Sequence, residues 1–280
     1  MTIKELAPKQ SKTEMDRQMG VSRQSLYYKP KMPEKDLRLK AEIEKVLSKN
    51  KSYGHRRVAD DLKINDKRAR RVMKLFGLKP QRRRKWKKPE KPLDQGQEPM
   101  NIPNLISGLV IDAPHHVWVS DFTYLPYFNK FVYLATIEDI FTRQVVGWEI
   151  SLRHNADLVS KTLLNALNYY APPKIIHSDQ GSEYRCQGYL NLLKGFNILP
   201  SMSRKGSPWQ NGYQESFYSG FKFDLGHPEI YSTFGELIEA ISQQIHYYNN
   251  RRIHTALKCP PAIFAKKYEF ATEKLSMIIK

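Results

Sequence analysis

The sequence predicts an α/β fold: a mixed five-stranded sheet flanked by helices, preceded by a small all-α region. Three observations predict it. Near residue 117 the apolar spacing changes to the two-residue period of strands, and beyond that point strand-like and helix-like runs alternate. Positive charge is concentrated ahead of the change. The 280 residues carry a formal net charge of +18, of which residues 1 to 100, with 29 basic and 13 acidic groups, contribute +16. That asymmetry predicts a polyanion-binding module joined to a near-neutral domain. The division expected is 1–80 helical, 81–110 a basic Pro-rich linker, and 111–280 an α/β core with a C-terminal helical tail. Cys186 and Cys259 have no metal-ligand spacing around them, which excludes a zinc finger and a disulfide framework. The chain shows neither a membrane-length apolar run nor a signal-peptide core, so a cytoplasmic location and no membrane partner are expected.

In the N-terminal part, residues 12 to 28 read as two short helices around Gly20, with Ser22 as N-cap, a helix-turn-helix candidate. Residues 33 to 49 form a charged helix with Leu37, Ile43, Val46 and Leu47 as its apolar stripe. SYGHRRVADDLK and DKRARRVMKLFGL make a second helix pair. Its second helix places Arg68, Arg71 and Lys74 on one face while Val72, Leu75 and Phe76 turn inward. Two helix pairs in so basic a segment favour DNA binding, with Arg56 and Arg57 of the first helix as further candidates. The linker carries six basic residues between Arg82 and Lys88, including Arg83, Arg84 and Lys85, among repeated prolines. A phosphate-tracking arm and a plain tether explain it equally well.

In the core, VWVSDFTYL, KFVYLATIED and RQVVGWEIS are β-branched and aromatic runs joined by short turns, an antiparallel meander. A helix over Ala156 to Tyr170 follows, capped by Asn155 and stopped by Ala171-Pro172-Pro173. KIIHSD is a fourth strand, Gln187 to Phe196 a helix, and NILPSMS a fifth strand. Ser207, Pro208 and Gln210 then open a helix as a capping box, with Tyr213, Phe217 and Phe221 as its packed stripe and Asn211, Glu215, Tyr218 and Lys222 opposite. This element order is that of a ribonuclease H-like domain.

Three acids fall on three of these elements: Asp121 in the first strand, Asp179 at the end of the fourth, Glu215 on the last helix. Each alone has an ordinary explanation as a turn, cap or surface residue. Together they are the hard oxygen ligands that phosphoryl-transfer sites use for divalent cations. With 35 residues between the second and third, the order resembles the retroviral integrases and the insertion-sequence transposases of the DDE class. The resemblance is strongest to the OrfB-type insertion-sequence transposases, through YGHRR, WVSDFTY, HSDQGSEY, NGYQESF and YYNNRRIHTALKCPPAIF.

That resemblance implies a ribonuclease H-like integrase core in which Asp121, Asp179 and Glu215 hold two Mg²⁺ or Mn²⁺ ions, with Lys222 contacting DNA. It implies cutting of element ends and joining of the 3′-hydroxyl to target DNA. The implied partners are double-stranded DNA, as terminal inverted repeats and target, further copies of the chain, and in many relatives an upstream-frame transposase subunit. The implied place is the cytoplasm, at the nucleoid. A non-catalytic DNA-binding regulator and a ribonuclease H-type nuclease are the alternatives. His177 is either a partner behind the metal site or a buried structural histidine. Asn250, Arg251 and His254 either contact phosphate or close the core. Deletion of residues 1 to 100 is expected to abolish binding to terminal repeats.

Overall fold

The structure is a computed structural model that describes residue 20 and residues 32–81, 102–204 and 212–279. The first helix pair, most of the linker and the capping box lie outside the described residues. Helix α1 (Met32–Lys49) buries Leu39, Ile43 and Val46, a four-then-three spacing that makes one face. Leu37, expected on that face, is 56% exposed, so the stripe begins two residues later than predicted. The second helix pair is α2 (His55–Leu62) and α3 (Asp66–Leu75), the latter capped by Asn65, whose side chain accepts from the Lys67 amide. Val58, Val72 and Met73 pack with the α1 face, whereas Leu75 is exposed and not inward as predicted.

The core sheet has the order β3-β2-β1-β4-β5. Strands β1 (Val117–Tyr127), β2 (Lys130–Asp139) and β3 (Val145–Ser151) form the antiparallel meander. Helix α4 (Ala156–Leu167), capped by Asn155, leads to β4 (Ile175–Ser178), which pairs in parallel with β1. Two short helices, α5 (Ser182–Arg185) and α6 (Gln187–Gly195), lead to β5 (Leu199–Met202), parallel to β4. Helices α7 (Gly212–Leu225), α8 (Phe234–Asn250) and α9 (Pro261–Ile279) complete the chain.

Both faces of the sheet are covered, as its parallel half requires. Trp118, Ile137 and Val146 meet Val159 and Leu163 of α4 and Leu193 of α6 on one side. Leu125 and Leu134 meet Phe217, Phe221, Leu237 and Ile241 of α7 and α8 on the other. The packing extends upstream of residue 111. Ile102 lies on the first cluster, Ile106 and Leu109 cover Val117 and Ile175, and the Leu105 amide donates to Ser201 Oγ at 2.8 Å. The end of the predicted linker is therefore part of the core.

The N-terminal helices are closed by the far end of the chain. Ile253 joins the apolar cluster of α1 to α3, its amide donates to the Tyr53 hydroxyl at 2.8 Å, and the Tyr247 hydroxyl donates to Asn50 Oδ1. No helix of the described residues is long and apolar enough to cross a membrane.

Candidate active site

Strand pairing brings the two aspartates together. β1 and β4 pair from Val117↔Ile175 to Val119↔His177, and the same offset carries Asp121 onto Asp179, the first residue beyond β4. Paired strands lie about 4.8 Å apart, so the two acids continue the ladder as one rung on neighbouring strands, at the edge where β4 ends. Helix α7 is fastened to this spot from above. Gln214 Nε2 donates to the Val119 carbonyl at 2.8 Å and the Tyr218 hydroxyl donates to the Asp121 carbonyl at 2.6 Å, with Thr136 Oγ1 bonded to both side chains. Residues 214 and 218 are one turn apart, so they bracket Glu215 on a helix pinned at two carbonyls of the same strand.

Asp121 feels both of the other acids. Burial first, and then the charge of Asp179, push the Asp121 carboxyl well above the ordinary aspartate value; the Phe122 amide pulls it back, Glu215 adds a smaller push and Lys222 a smaller pull. Asp179 is exposed as a residue, but its carboxyl turns back to accept from the Gly181 amide at 3.0 Å, and burial of that end raises it too. Gly181 makes room for two carboxylates: a Cβ there would stand 2.7 Å from Glu183 Oε2 and 3.1 Å from Asp179 Oδ1.

Glu183 and His154 join the site without having been singled out by the sequence pattern. Glu183 is 8% exposed, raises Asp179, and stands 2.9 Å from His154 Nδ1. The His154 ring is nearly parallel to that of Phe122, the neighbour of Asp121, at 5.9 Å between centroids and 10° between planes. An acid four residues after Asp179 is a signal within the motif itself; His154 has none.

Other predicted residues are placed as follows. Lys222 is 6% exposed, with its ammonium 4.4 Å from the centre of the Tyr124 ring, so it serves the Asp121 environment and is not a surface lysine. Tyr213, expected in the packed stripe, is 39% exposed and carries the Arg143 guanidinium over its ring at 4.1 Å. Arg56, Arg68 and Lys74 are exposed. Arg71 is held in a two-bond fork by Asp36, at 2.7 and 2.6 Å, which also keeps that carboxyl below its ordinary value. Arg57 turns inward beside Tyr53 instead of facing solvent with Arg56. Arg82, Arg83, Arg84 and Lys85 lie outside the described residues.

His177 is fully buried, with Nδ1 2.9 Å from Ser201 Oγ, and burial lowers it to about 4. It joins β4 to β5 as a neutral ring. Asn250 and Arg251 are exposed at the end of α8, where Asn250 donates back to the His246 carbonyl. His254 turns inward, toward Arg57 and Arg143. Among the described residues, no three acids, histidines or cysteines stand close enough together to hold a metal ion as they are.

Residues 112–208 match a family model described as an integrase core domain, and residues 197–261 match a second model of the same description. The transposase for insertion sequence element IS904 of Lactococcus lactis is 36% identical over 198 residues, 69% of this chain and 77% of that protein. The putative transposase InsK for IS150 of Escherichia coli is 31% identical over 88% of this chain and 89% of its own length. A 31 kDa protein of insertion element IS600 from Shigella sonnei, itself uncharacterized, is 31% identical over 89% of this chain and 96% of its own length. Among solved structures, a chain of the simian T-cell lymphotropic virus intasome in complex with PP2A regulatory subunit B56 gamma aligns with a TM-score of 0.49 at 20% identity, over 64% of this chain and 60% of that one. The HTLV-2 integrase catalytic core domain in complex with magnesium aligns at 0.47 and 18%, over 54% and 97%.

The ribonuclease H-like sheet and the integrase-core match define a polynucleotidyl transferase of the DDE transposase/integrase class. Within that class the chain belongs to the transposases of bacterial insertion sequences.

Proposed function

We propose that Asp121, Asp179 and Glu215 hold two divalent cations, Mg²⁺ or Mn²⁺, and that this transposase cuts the ends of its element and joins the freed 3′-hydroxyl to target DNA. The observation that carries this reading is the shared field of the three acids: both Asp179 and Glu215 raise the Asp121 carboxyl, although they come from a strand, a strand end and a helix. A buried carboxylate whose ionisation is opposed by neighbouring carboxylates favours a hard cation beside it. The chemistry of the donors, hard carboxylate oxygens, suits that group, although as they stand the three are not close enough together to share an ion. Asp121 and Asp179 form the adjacent pair, and the exposed Glu215 side chain, at the first turn of α7, is the one that closes on it.

When bound, such cations stabilise the attacking and leaving oxygens of an in-line phosphoryl transfer. The chain's own residues set the geometry. Gln214 and Tyr218 fix α7 on β1, Lys222 offsets the charge of Asp121, and Glu183 with His154 backs Asp179 and Phe122. Exposed Arg56, Arg68 and Lys74, with Arg82, Arg83, Arg84 and Lys85 of the linker, contact phosphates of duplex terminal repeats and target. One such site per chain serves one end, so the working form is a homo-oligomer, with an upstream-frame subunit as a further partner.

Asp179→Asn and Glu215→Gln are expected to bind duplexes carrying the element ends as tightly as the parent and to lose Mg²⁺-dependent nicking by at least about a hundredfold. Mg²⁺ should raise the melting temperature of the parent and not of Asp179→Asn. Undiminished nicking in both variants rejects the assignment.

A further inference from the structure

Beside α7, the N-terminal helices and the core border a half-open cavity of ≈ 440 Å³. Ser52, Arg57, Glu138, Arg143, Arg252 and His254 line it, brought from α2 and the turn before it, the end of β2, the turn after it, and the tail beyond α8. Nine buried side-chain polar atoms of the described residues find no hydrogen-bond partner within the protein, and five of them belong to these residues: Ser52 Oγ, Arg57 Nε, Glu138 Oε2, Arg143 Nη1 and His254 Nδ1. Buried polar groups are nearly always paired, so their convergence on one space marks it as built for a ligand.

The charge of the cavity states what kind. Three guanidiniums face it, and among the described residues the carboxylate bonded to them is Asp224, which accepts from Arg252 Nε at 2.9 Å. Arg57 and Arg252 repel each other, and burial with that repulsion lowers Arg57. Burial raises Glu138, against the pull of Arg143, and lowers His254, so both are held toward their neutral forms. Arg57 and Arg143 are half-buried, each with a buried nitrogen that finds no partner, and a multi-oxygen anion satisfies such groups with charge-assisted bonds from several directions. Gly220 is part of the construction: a Cβ there would lie 2.9 Å from Arg252 Nη2, so glycine lets that guanidinium cross α7.

We propose that this cavity is a phosphate site that holds one backbone phosphate of a DNA strand. The assignment of the anion rests on the cavity alone; the assignment to DNA rests on the transposase reading above. Ser216, exposed on the rim, directly follows Glu215, so a strand held there is clamped at the same helical turn that carries the third acid.

The test uses the full chain carrying Asp179→Asn, so that binding is read without cleavage and independently of which acids cut. At equal ionic strength, inorganic phosphate is expected to raise the melting temperature by a few degrees over chloride, and Arg143→Gln and Ser216→Glu to remove the difference. Ser216→Glu puts a carboxylate at the rim without removing a buried group, so it tests the site if Arg143→Gln folds poorly. On duplexes with single methylphosphonate linkages, one linkage should weaken binding of the Asp179→Asn chain about tenfold and leave the Arg143→Gln chain unaffected. No phosphate-specific shift, or a shift surviving in both variants, overturns the site. A phosphate shift with every linkage weakening both chains alike overturns DNA as the occupant, leaving a free-anion site.

Discussion

Glu138 and His254 face the same cavity and titrate in opposite senses. Burial raises Glu138 from 4.5 to about 8, so the folded chain keeps a proton that the unfolded chain releases. Stability therefore falls as pH rises from about 4.5 to about 8. Burial lowers His254 from 6.5 to about 4, so the unfolded chain takes up a proton that the folded chain refuses. Its contribution falls as pH drops from about 6.5 to about 4. Glu138→Gln removes the first trend and leaves the second. The variant should gain on the parent between pH 5 and pH 8, on the order of a few kcal/mol, measured from urea midpoints at the two pH values. A gap that does not change with pH would mean that Glu138 is already ionised in the fold. None of this is visible in the sequence, where Glu138 is one acid of an ordinary strand. Its environment comes from residues as distant as Ser52 and His254, and no local pattern encodes such a meeting.

At the scale of elements, the strands are the easiest to read, because β-branched and aromatic runs bounded by turn residues mark them even where both faces are covered. The meander and the two later strands follow from those runs and from the breakers between them, whereas the parallel pairing of β4 with β1 and β5 joins residues far apart in the sequence. Helix faces are harder. In α1 the choice between Leu37 and Leu39 depends on where the partner helices lie, and Tyr213 of α7 leaves its predicted stripe for Arg143. The pin between α7 and β1 joins residues almost a hundred positions apart, so local spacing puts Tyr218 on a polar side and names no partner for it. Tyr218→Phe removes the bonds to the Asp121 carbonyl and Thr136; it should cost about 1 kcal/mol and slow nicking while duplex affinity holds. Slowed nicking with a matching loss of affinity would place the defect in binding instead. A second element-level test concerns β3 on α4. A Cβ on Gly147 would stand 2.7 Å from both Ala166 Cβ and the Thr162 carbonyl oxygen, and backbone cannot step aside as a side chain can. Gly147→Ala should destabilise by roughly 1–3 kcal/mol in urea unfolding, and an unchanged midpoint would disprove the close approach.

For the whole molecule, the charge split in the sequence and the packing in the structure pull the simplest experiment apart. Net charge marks residues 1 to 100 as the phosphate-binding part, which invites their deletion. Yet Tyr53 and the α1 to α3 cluster cover Ile253, and residues 102–111 seat the core, so a truncation at 100 uncovers an apolar surface beyond α8. Weaker binding by that fragment would report disturbed packing as readily as missing cations. Charge removal within the intact chain separates the two. Arg56, Arg68 and Lys74 are exposed, whereas the charge of Arg71 is matched by Asp36. Each phosphate neutralised contributes about −0.9 to the slope of log affinity against log salt. The triple variant Arg56→Ala, Arg68→Ala, Lys74→Ala should therefore flatten that slope by about 0.9 for every phosphate it no longer neutralises, with its melting temperature preserved. Arg71→Ala should do the reverse, lowering the melting temperature through the stranded Asp36 carboxylate while leaving the slope nearly as it was. If the triple variant keeps the parent slope, phosphate is neutralised by other cations of the chain and the exposed face of α2 and α3 is only solvated.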